Sequence, residues 1–149
     1  MIALWIALVG AMLLAFSLAV SVPAQEQQTM ALTADVAATN FYEYRAAIIS
    51  YFYANPSTTG TIADVSLTFL PGYLRDARWT NVIQGGTLFV YSTGVESIDS
   101  VMAMYQKGGT SLLIGKKSAS GNLVSATGID TGILLPAAIP VGAITIVGS

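Results

Sequence analysis

An uninterrupted apolar run opens the chain and ends at a polar segment. The first 22 residues, MIALWIALVGAMLLAFSLAVSV, hold no charged side chain. As an α-helix, such a run would be about 33 Å long, which matches the roughly 30 Å hydrocarbon core of a bilayer. The pattern therefore predicts a transmembrane helix, the anchor, over residues 1–24 and an exported domain over residues 25–149.

The end of this run, SLAVSVPAQEQ at residues 17–27, leaves a second interpretation open. Val22 and Ala24 are residue types that signal peptidase accepts before a cut, and cleavage after Ala24 would release a soluble secreted binding module. Two features favour an uncleaved anchor. No Lys or Arg precedes the run, and the run is longer than the roughly 7–15 residues of a typical signal core.

The charges that follow the anchor indicate its orientation. Residues 25–44 contain Glu26, Asp35 and Glu43 but no Lys or Arg. Basic side chains near a membrane helix retain their flank in the cytoplasm, and this flank has none. We therefore expect the domain to be periplasmic or otherwise exported.

Alanines recur at every fourth residue of the anchor and would form one stripe of small side chains on a helix. They are Ala3, Ala7, Ala11, Ala15 and Ala19. Small side chains let two membrane helices approach closely, because packing drives helix association in lipid. The stripe predicts a helix–helix contact, in a homo-oligomer or with another protein, although alanine is also simply common in membrane helices.

A second apolar stripe predicts the stalk helix, which we place at residues 29–53. Its apolar residues recur with alternating spacings of four and three, close to the helical period. Asn55-Pro56 ends the pattern. We expect the stripe to cover the domain's own sheet rather than to form a free coiled-coil face. Its members are Met30, Ala34, Ala37, Phe41, Tyr44, Ile48 and Tyr51.

The rest of the chain predicts short strands and one short helix. Gly85-Gly86 between two β-rich runs is a hairpin signal, and Glu96–Lys107 predicts a helix that Gly108 is placed to end. The fold class is therefore α+β: an N-terminal transmembrane helix continuing into a long helix packed on a small, mainly antiparallel sheet, with one further short helix. The predicted strands are Val65–Phe69, Trp79–Gln84, Thr87–Ser92, Ser111–Lys116, Leu123–Ala126 and Ala143–Val147.

Composition excludes several classes of function. The net charge of −2 gives no basic footprint, so nucleic acid is not an expected partner. The chain has no cysteine and no histidine, which excludes disulfides, thiolate and imidazole metal ligands, and Ser-His-Asp triads. We expect no catalytic, cofactor-binding or metal-binding residues and no small-molecule substrate.

Two short motifs point to chemistry, and each has a simpler structural explanation. Asp130-Thr131-Gly132 matches the aspartic-protease motif, but a single copy would require a homodimer for catalysis. A glycine-bounded turn over Gly128–Gly132 explains it as well, so an enzyme is the least favoured class. Gly115-Lys116 lacks the other positions of a P-loop, and Lys116 and Lys117 are predicted to be a solvated strand end.

One dense charge cluster remains, formed by Arg75, Asp76 and Arg78 next to Trp79. Surface ion pairing is the simpler explanation, and it contributes little to stability. The functional interpretation is a contact with a partner protein, because Arg and Trp are enriched in binding hot spots. Arg75, Arg78 and Trp79 are therefore the candidate partner-contact residues.

The run GTIADVSLTFLPGYLRDARWTNVIQGGTLFVY, at residues 60–91, resembles the PilM proteins of type IVb thin-pilus operons. Leu70-Pro71-Gly72, Trp79-Thr80-Asn81 and Gly85-Gly86 account for most of the likeness. Those proteins are similar in length and also begin with an apolar segment followed by a small domain. The resemblance implies a non-enzymatic, single-pass component of the bacterial inner membrane that contacts other pilus-assembly proteins in conjugation or adhesion.

A pilin-like or minor filament subunit is the alternative within the same system. Pilins usually have a basic leader, a glycine at the prepilin-peptidase cut and a glutamate five residues later. This chain has Gly10-Ala11 but no basic leader, and Ala15 stands where the glutamate is expected. The pattern therefore favours an assembly component over a filament subunit.

Overall fold

The computed structural model describes the backbone of residues 2–148 and the side chains of residues 28–148. The helices and strands are α1 (Ile2–Ala54), β1 (Trp79–Gln84), β2 (Thr87–Val95), α2 (Ile98–Lys107), β3 (Ile114–Lys117), β4 (Asn122–Ser125), β5 (Asp130–Leu134) and β6 (Ala143–Val147). Within this described part the strands form a six-stranded sheet in the order β1-β2-β6-β3-β4-β5, and each pair of neighbouring strands is antiparallel. The predicted α+β class, with a long helix, an antiparallel sheet and a short helix, is confirmed.

By its internal contacts the chain divides into two units, residues 1–33 and residues 34–149. The first unit lies within α1, and its described side chains, from residue 28 onward, are exposed. These include Met30, which the stripe had predicted to face the sheet. The predicted anchor over residues 1–24 and its alanine stripe lie outside the residues whose side chains are described. Within residues 28–148, no helix combines the length and apolarity needed to cross a bilayer.

In the second unit, the remainder of α1 covers the first face of the sheet, as predicted. Ala34, Ala37, Phe41, Tyr44 and Ile48 are all buried. Their facing partners are Trp79, Ile83, Leu88, Val90, Ile114, Ile144 and Ile146 from the strands, with Val101 and Met104 from α2. The Phe41 and Trp79 rings meet edge to face with centroids 4.9 Å apart, which adds a directional contact to the area that both rings bury.

The predicted hairpin and short helix are confirmed, with their caps. Gly85 and Gly86 have φ values of 60° and 76°, which suit a two-residue turn of the primed type between β1 and β2. Helix α2 begins at Ile98 rather than Glu96, because the Ser97 hydroxyl accepts a hydrogen bond from the Ser100 amide and caps the helix. Gly108 ends it.

The predicted strand over Val65–Phe69 is wrong. Asp64–Ser66 is a single 3-10 turn, and the flanking residues are irregular. The outer edge of β1 is bridged instead by Gly60, which exchanges two hydrogen bonds of 2.8 and 2.9 Å with Ile83. With that edge position taken, the following residues pack by their side chains rather than as a strand.

The predicted turn over Gly128–Gly132 is wrong at its second half. The turn lies earlier, where the Gly128 amide donates to the Ser125 carbonyl over 2.9 Å, and Asp130 already begins β5. Neither Asp nor Gly favours a strand, so pairing with β4 decides the conformation here.

The second face of the sheet is covered by residues 135–142, which we call the cover segment. Its Leu135 and Ile139 pack in one buried cluster with Phe89, Leu123 and Val147 from the strands. No helix or strand is assigned within the cover segment. The two faces of the sheet are thus covered by structures of different kinds.

Lys117 corrects the prediction of a solvated strand end. Its side chain points to the second face and is only 8% exposed, and its Nζ donates to the carbonyls of Pro136 and Ile139 over 2.8 and 2.9 Å. Lys116 faces the other way and donates to the Glu96 carbonyl. Both side chains therefore bind backbone carbonyls within the domain.

Candidate docking site

The candidate site is the connection between Gly60 and β1, residues 61–78, which we call the docking loop. Its inner side is apolar and aromatic. The Phe69 ring stacks on Tyr73 with centroids 4.9 Å apart and on Tyr44 of α1 with centroids 6.3 Å apart. Leu67 packs against the same core. These contacts hold the irregular loop against the first-face core.

Asn40 of α1 fixes the second half of the docking loop. Its Oδ1 accepts hydrogen bonds from Trp79 Nε1 at 3.0 Å, from the Tyr73 hydroxyl at 3.1 Å and from the Asp76 amide at 3.2 Å. Its Nδ2 donates to the Leu74 carbonyl over 2.7 Å. The Asn40 side chain therefore forms hydrogen bonds with four residues, and these bonds restrict the conformation of the loop.

Asn81 of β1 fixes the beginning of the docking loop in the same way. It is fully buried, and its Oδ1 accepts from the Ile62 amide over 2.8 Å. Its Nδ2 donates to the Ile62 carbonyl over 3.0 Å and to the Tyr44 hydroxyl over 2.9 Å. A buried amide with all these partners is stabilising and specific, whereas an unpaired one would cost free energy.

The sequence analysis did not identify either asparagine. A signal was present for Asn81, which alternates with Trp79 and Ile83 on the inward face of β1. A polar residue at an inward strand position indicates a buried hydrogen-bond network. Asn40 had no comparable signal, because its partners lie more than thirty residues away along the chain.

Arg75 is held within the domain. Its Nη2 donates to the Trp79 carbonyl over 2.7 Å, and its Nε lies 2.9 Å from the Asp64 carboxylate. The guanidinium also lies over the Tyr44 ring, 5.1 Å from its centroid. Arg75 therefore ties the two halves of the docking loop together while part of its side chain stays exposed.

Arg78 forms the outer ion pair of the cluster. Its guanidinium binds the Asp76 carboxylate with contacts of 2.7 and 2.9 Å, and Glu96 lies 3.4 Å away. The hydrogen bond from Arg78 is the main reason that the pKa of Asp76 lies below its usual value. The pair stays ionised at neutral pH and presents an exposed, well-oriented charge pattern.

Trp79, the third candidate partner-contact residue, is buried. Its side chain is 0% exposed, with Phe41 against one side and the Arg78 guanidinium 4.8 Å from the ring centroid. The indole is therefore a core side chain beneath the cluster. The structure brings Arg75, Arg78 and Trp79 together, but it leaves the arginines at the surface and Trp79 inside.

The outer side of the docking loop displays three large apolar side chains. Val65, Leu70 and Leu74 are 93%, 65% and 83% exposed. Their backbone is held by the asparagines, the stacked aromatics and Arg75, so the exposed groups sit on an ordered support. Exposed apolar side chains on an ordered loop that also carries two arginines have the chemistry of a protein-binding site.

The other sequence candidates do not lie at this loop. Asp130 is a fully exposed carboxylate at the start of β5, and hydrogen bonds from the Gly132 amide and Asn122 lower its pKa. The shared proton of an aspartic-protease pair needs a raised pKa on one carboxylate. Among residues 28–148, no group of three His, Cys, Asp or Glu side chains is arranged to hold a metal ion.

The comparisons agree with the resemblance noted in the sequence. The family model PilM matches residues 8–147. The crystal structure of a protein described as PilM from Escherichia coli B7A is 26% identical, with a TM-score of 0.62, covering 82% of this chain and 94% of that chain. A second, described as a pilM protein from Pseudomonas aeruginosa 2192, is 31% identical, with a TM-score of 0.44, covering 77% of this chain and 95% of that one. No curated protein sequence matches the chain. Because the family model matches nearly the whole length of the chain, the chain belongs to the PilM family of pilus-related proteins.

Proposed function

We propose that the chain is a non-enzymatic component of type IV thin-pilus assembly that docks other pilus-assembly proteins through the docking loop. Membership of the PilM family supports the role in pilus assembly. The display of Val65, Leu70 and Leu74 on an internally hydrogen-bonded loop is the observation that carries the docking role.

The energetics favour this surface as a binding site. Burying one large aliphatic side chain contributes about 1.5–3 kcal/mol, and three of them lie on one loop. Because the loop is already ordered, it would lose less conformational entropy on binding a partner than a flexible segment would. Arg75 and Arg78 flank the apolar groups and would contribute orientation at the rim of the contact.

The proposal includes a location. Residues 1–24 would be a single-pass anchor in the bacterial inner membrane, and residues 25–149 would be periplasmic, where a pilus of a conjugation or adhesion system is assembled. The uninterrupted apolar run and the absence of basic residues over 25–44 support this arrangement. The alanine stripe would then pack the anchor against another membrane helix, in a homo-oligomer or with a partner.

The test replaces the apolar groups of the docking loop and counts pili. The double variant Leu70→Ser with Leu74→Ser should be produced at normal levels, because both side chains are already exposed, but it should assemble few pili by electron microscopy. A photo-crosslinking amino acid at position 74 of the otherwise unchanged chain should form adducts with a pilus-assembly protein, identified by mass spectrometry.

The control is a second pair of adjacent exposed leucines outside the loop. Leu112→Ser with Leu113→Ser makes the same substitutions at side chains that are 48% and 40% exposed. Normal piliation in this control and loss in the loop variant support the docking role. Normal piliation in both variants, or equal loss in both, would contradict it.

A filament subunit is a second candidate. The long α1 helix beside an antiparallel sheet is also the general plan of pilins. Purified, sheared filaments decide between the two roles: a subunit would be present along the filament by immunogold labelling, whereas an assembly component would stay with the cell envelope.

A further inference from the structure

We propose that the second face of the sheet carries a separate binding groove for the C-terminal end of an apolar peptide of a partner protein, with Lys117 as the group that recognises the terminal carboxylate. Three observations support the proposal: a cavity on this face, a buried positive charge in its lining, and the strand register that places the charge toward one end of the cavity.

The groove has a volume of about 530 Å³, within the range of ligand-binding clefts, and it opens to solvent. Its apolar floor and wall come from Phe89 of β2 and from Leu134 and Leu135. Leu134 is 72% exposed although it lines this concave surface, so a large apolar side chain faces water where a ligand would cover it.

Lys117 also lines the groove. An ammonium group has three N–H donors, and two of them bind the carbonyls of Pro136 and Ile139, which leaves one donor. Among residues 28–148, Lys117 forms no ion pair with a carboxylate. A cation that is 8% exposed and lacks a counter-charge is costly, and an anion bound in the groove would offset that cost.

The strand register places Lys117 toward one end of the groove. In β6, Ala143 lies at the end nearest Lys117, whereas Val147 pairs with Phe89 toward the β1–β2 turn. The groove extends to Gly85 in that turn, so its two ends correspond to opposite ends of the strands. From the level of Lys117 to the level of Phe89 the register covers four strand positions, which four extended residues at about 3.3 Å each would span with the terminal carboxylate at Lys117.

The lining favours a peptide over a hydrocarbon chain. Gln84 and Gly85 also line the groove and contribute amide groups beside its apolar side chains. A peptide needs hydrogen-bond partners for its backbone and can use such groups, whereas an alkyl chain leaves them without a partner. The groove lies on the opposite face of the sheet from the core that supports the docking loop, so the two surfaces can bind independently.

The experiment measures fluorescence anisotropy of a labelled peptide with the full chain in lipid nanodiscs, after subtraction of empty nanodiscs. The probe is fluorescein-Val-Leu-Thr-Val with a free C-terminal carboxylate, and the matched probe is its carboxamide. A charge-assisted hydrogen bond predicts that the carboxylate form binds about ten-fold more tightly or better. Lys117→Met should remove this preference.

Because Lys117 also supports the cover segment, a second variant keeps the test independent of folding. Leu134→Asp places a carboxylate on the exposed wall of the groove and should abolish binding of the free peptide while the circular dichroism spectrum stays unchanged. Leu74→Asp, the same substitution on the docking loop, is the control and should leave peptide binding intact.

Four outcomes would overturn the proposal: no binding at millimolar peptide, equal affinity for the carboxylate and carboxamide, unchanged binding in Leu134→Asp, or binding of decanoate in preference to the peptide. The first would make Lys117 a purely structural residue, and the last would assign the groove to a lipid. None of them bears on the piliation test of the docking loop, so failure of either proposal is recognised separately.

Discussion

The two faces of the sheet are stabilised in different ways. On the first face, α1 and α2 bury Phe41, Tyr44 and Trp79 with a set of strand aliphatics. On the second face, the cover segment buries a smaller cluster, and the buried Lys117 side chain binds it to the sheet through two carbonyls. Large apolar side chains thus hold the helices, whereas the cover segment is held by a smaller apolar cluster together with hydrogen bonds, two of them from the Lys117 ammonium.

This difference has a consequence for local stability. Regular helices packed through many apolar contacts open only with the whole domain, whereas an irregular segment with few buried side chains opens at lower free energy. Asn40 and Tyr44 of α1 contact the docking loop. We therefore expect the loop to open only when the core of the first face opens. The groove beside the cover segment is expected to be the more adaptable surface.

Removing the central aromatic of the first face should have the largest effect. Trp79→Ala is expected to lower the free energy of unfolding by about 3–5 kcal/mol, because it opens a cavity in the core. It also deprives Asn40 of its indole donor. Urea denaturation measures the change, and a loss below about 1 kcal/mol would contradict a major contribution of Trp79 to the stability of the domain.

Gly115→Ala should be the next most damaging change. A Cβ at this position would lie 2.0 Å from the Val124 carbonyl oxygen, a backbone atom that cannot move without disturbing the pairing of β3 with β4. We expect a loss of about 3 kcal/mol, the upper part of the usual range for overpacking. Gly94→Ala is the control, because nothing lies within 4 Å of its added Cβ. Equal stability of the two variants would refute the steric explanation.

Lys117→Met tests the second face directly. The variant leaves two buried carbonyls without a donor, but it also removes the cost of burying the ammonium. We therefore expect the free energy of unfolding to fall by only about 1–2 kcal/mol in total. Hydrogen exchange should accelerate in the cover segment and not in the part of α1 over residues 34–54. Uniform acceleration across both regions would contradict the separation of the two faces.

The smallest expected effect concerns the ion pair of the docking loop. The pKa of Asp76 is lowered in the folded chain, so its pairing with Arg78 stabilises the fold above the unfolded-state value of 3.8 and ceases to do so as the pH falls through the folded-state pKa. Because the pair is partly exposed to solvent, Asp76→Asn should cost less than about 1 kcal/mol at pH 7. Denaturation at pH 7 and at pH 2 measures both values, and an undiminished difference at pH 2 would be inconsistent with this linkage.

Local signals in the sequence predicted much of the architecture. The Gly85-Gly86 turn, the helix ending at Gly108 and the strand over Ala143–Val147 follow from turn chemistry, capping and β-rich composition, which act over a few residues. The stripe over α1 predicted the covered face of the sheet because helical periodicity is a property of neighbouring residues. Met30 departs from it and is exposed.

The predictions that proved wrong depend on contacts between distant residues. Val65–Phe69 has the alternation of a strand, but Gly60 already bridges the edge that a strand would need. Asp130 and Gly132 disfavour a strand, yet β4 supplies the pairing that makes one. In both places, the availability of a hydrogen-bonding edge outweighed local propensity.

By itself, the sequence determined the fold class, the family and the absence of cysteine and histidine chemistry, because these follow from composition and short-range pattern. Tertiary structure decided which side chains are available to a partner. Trp79 and Lys117 looked like surface residues beside charges and at a strand end, but they are buried, because the helix on one face and the cover segment on the other provide partners that no local pattern reveals. Exposure is a property of the assembled layers, and so the docking loop and the groove could be recognised only once both faces of the sheet were known.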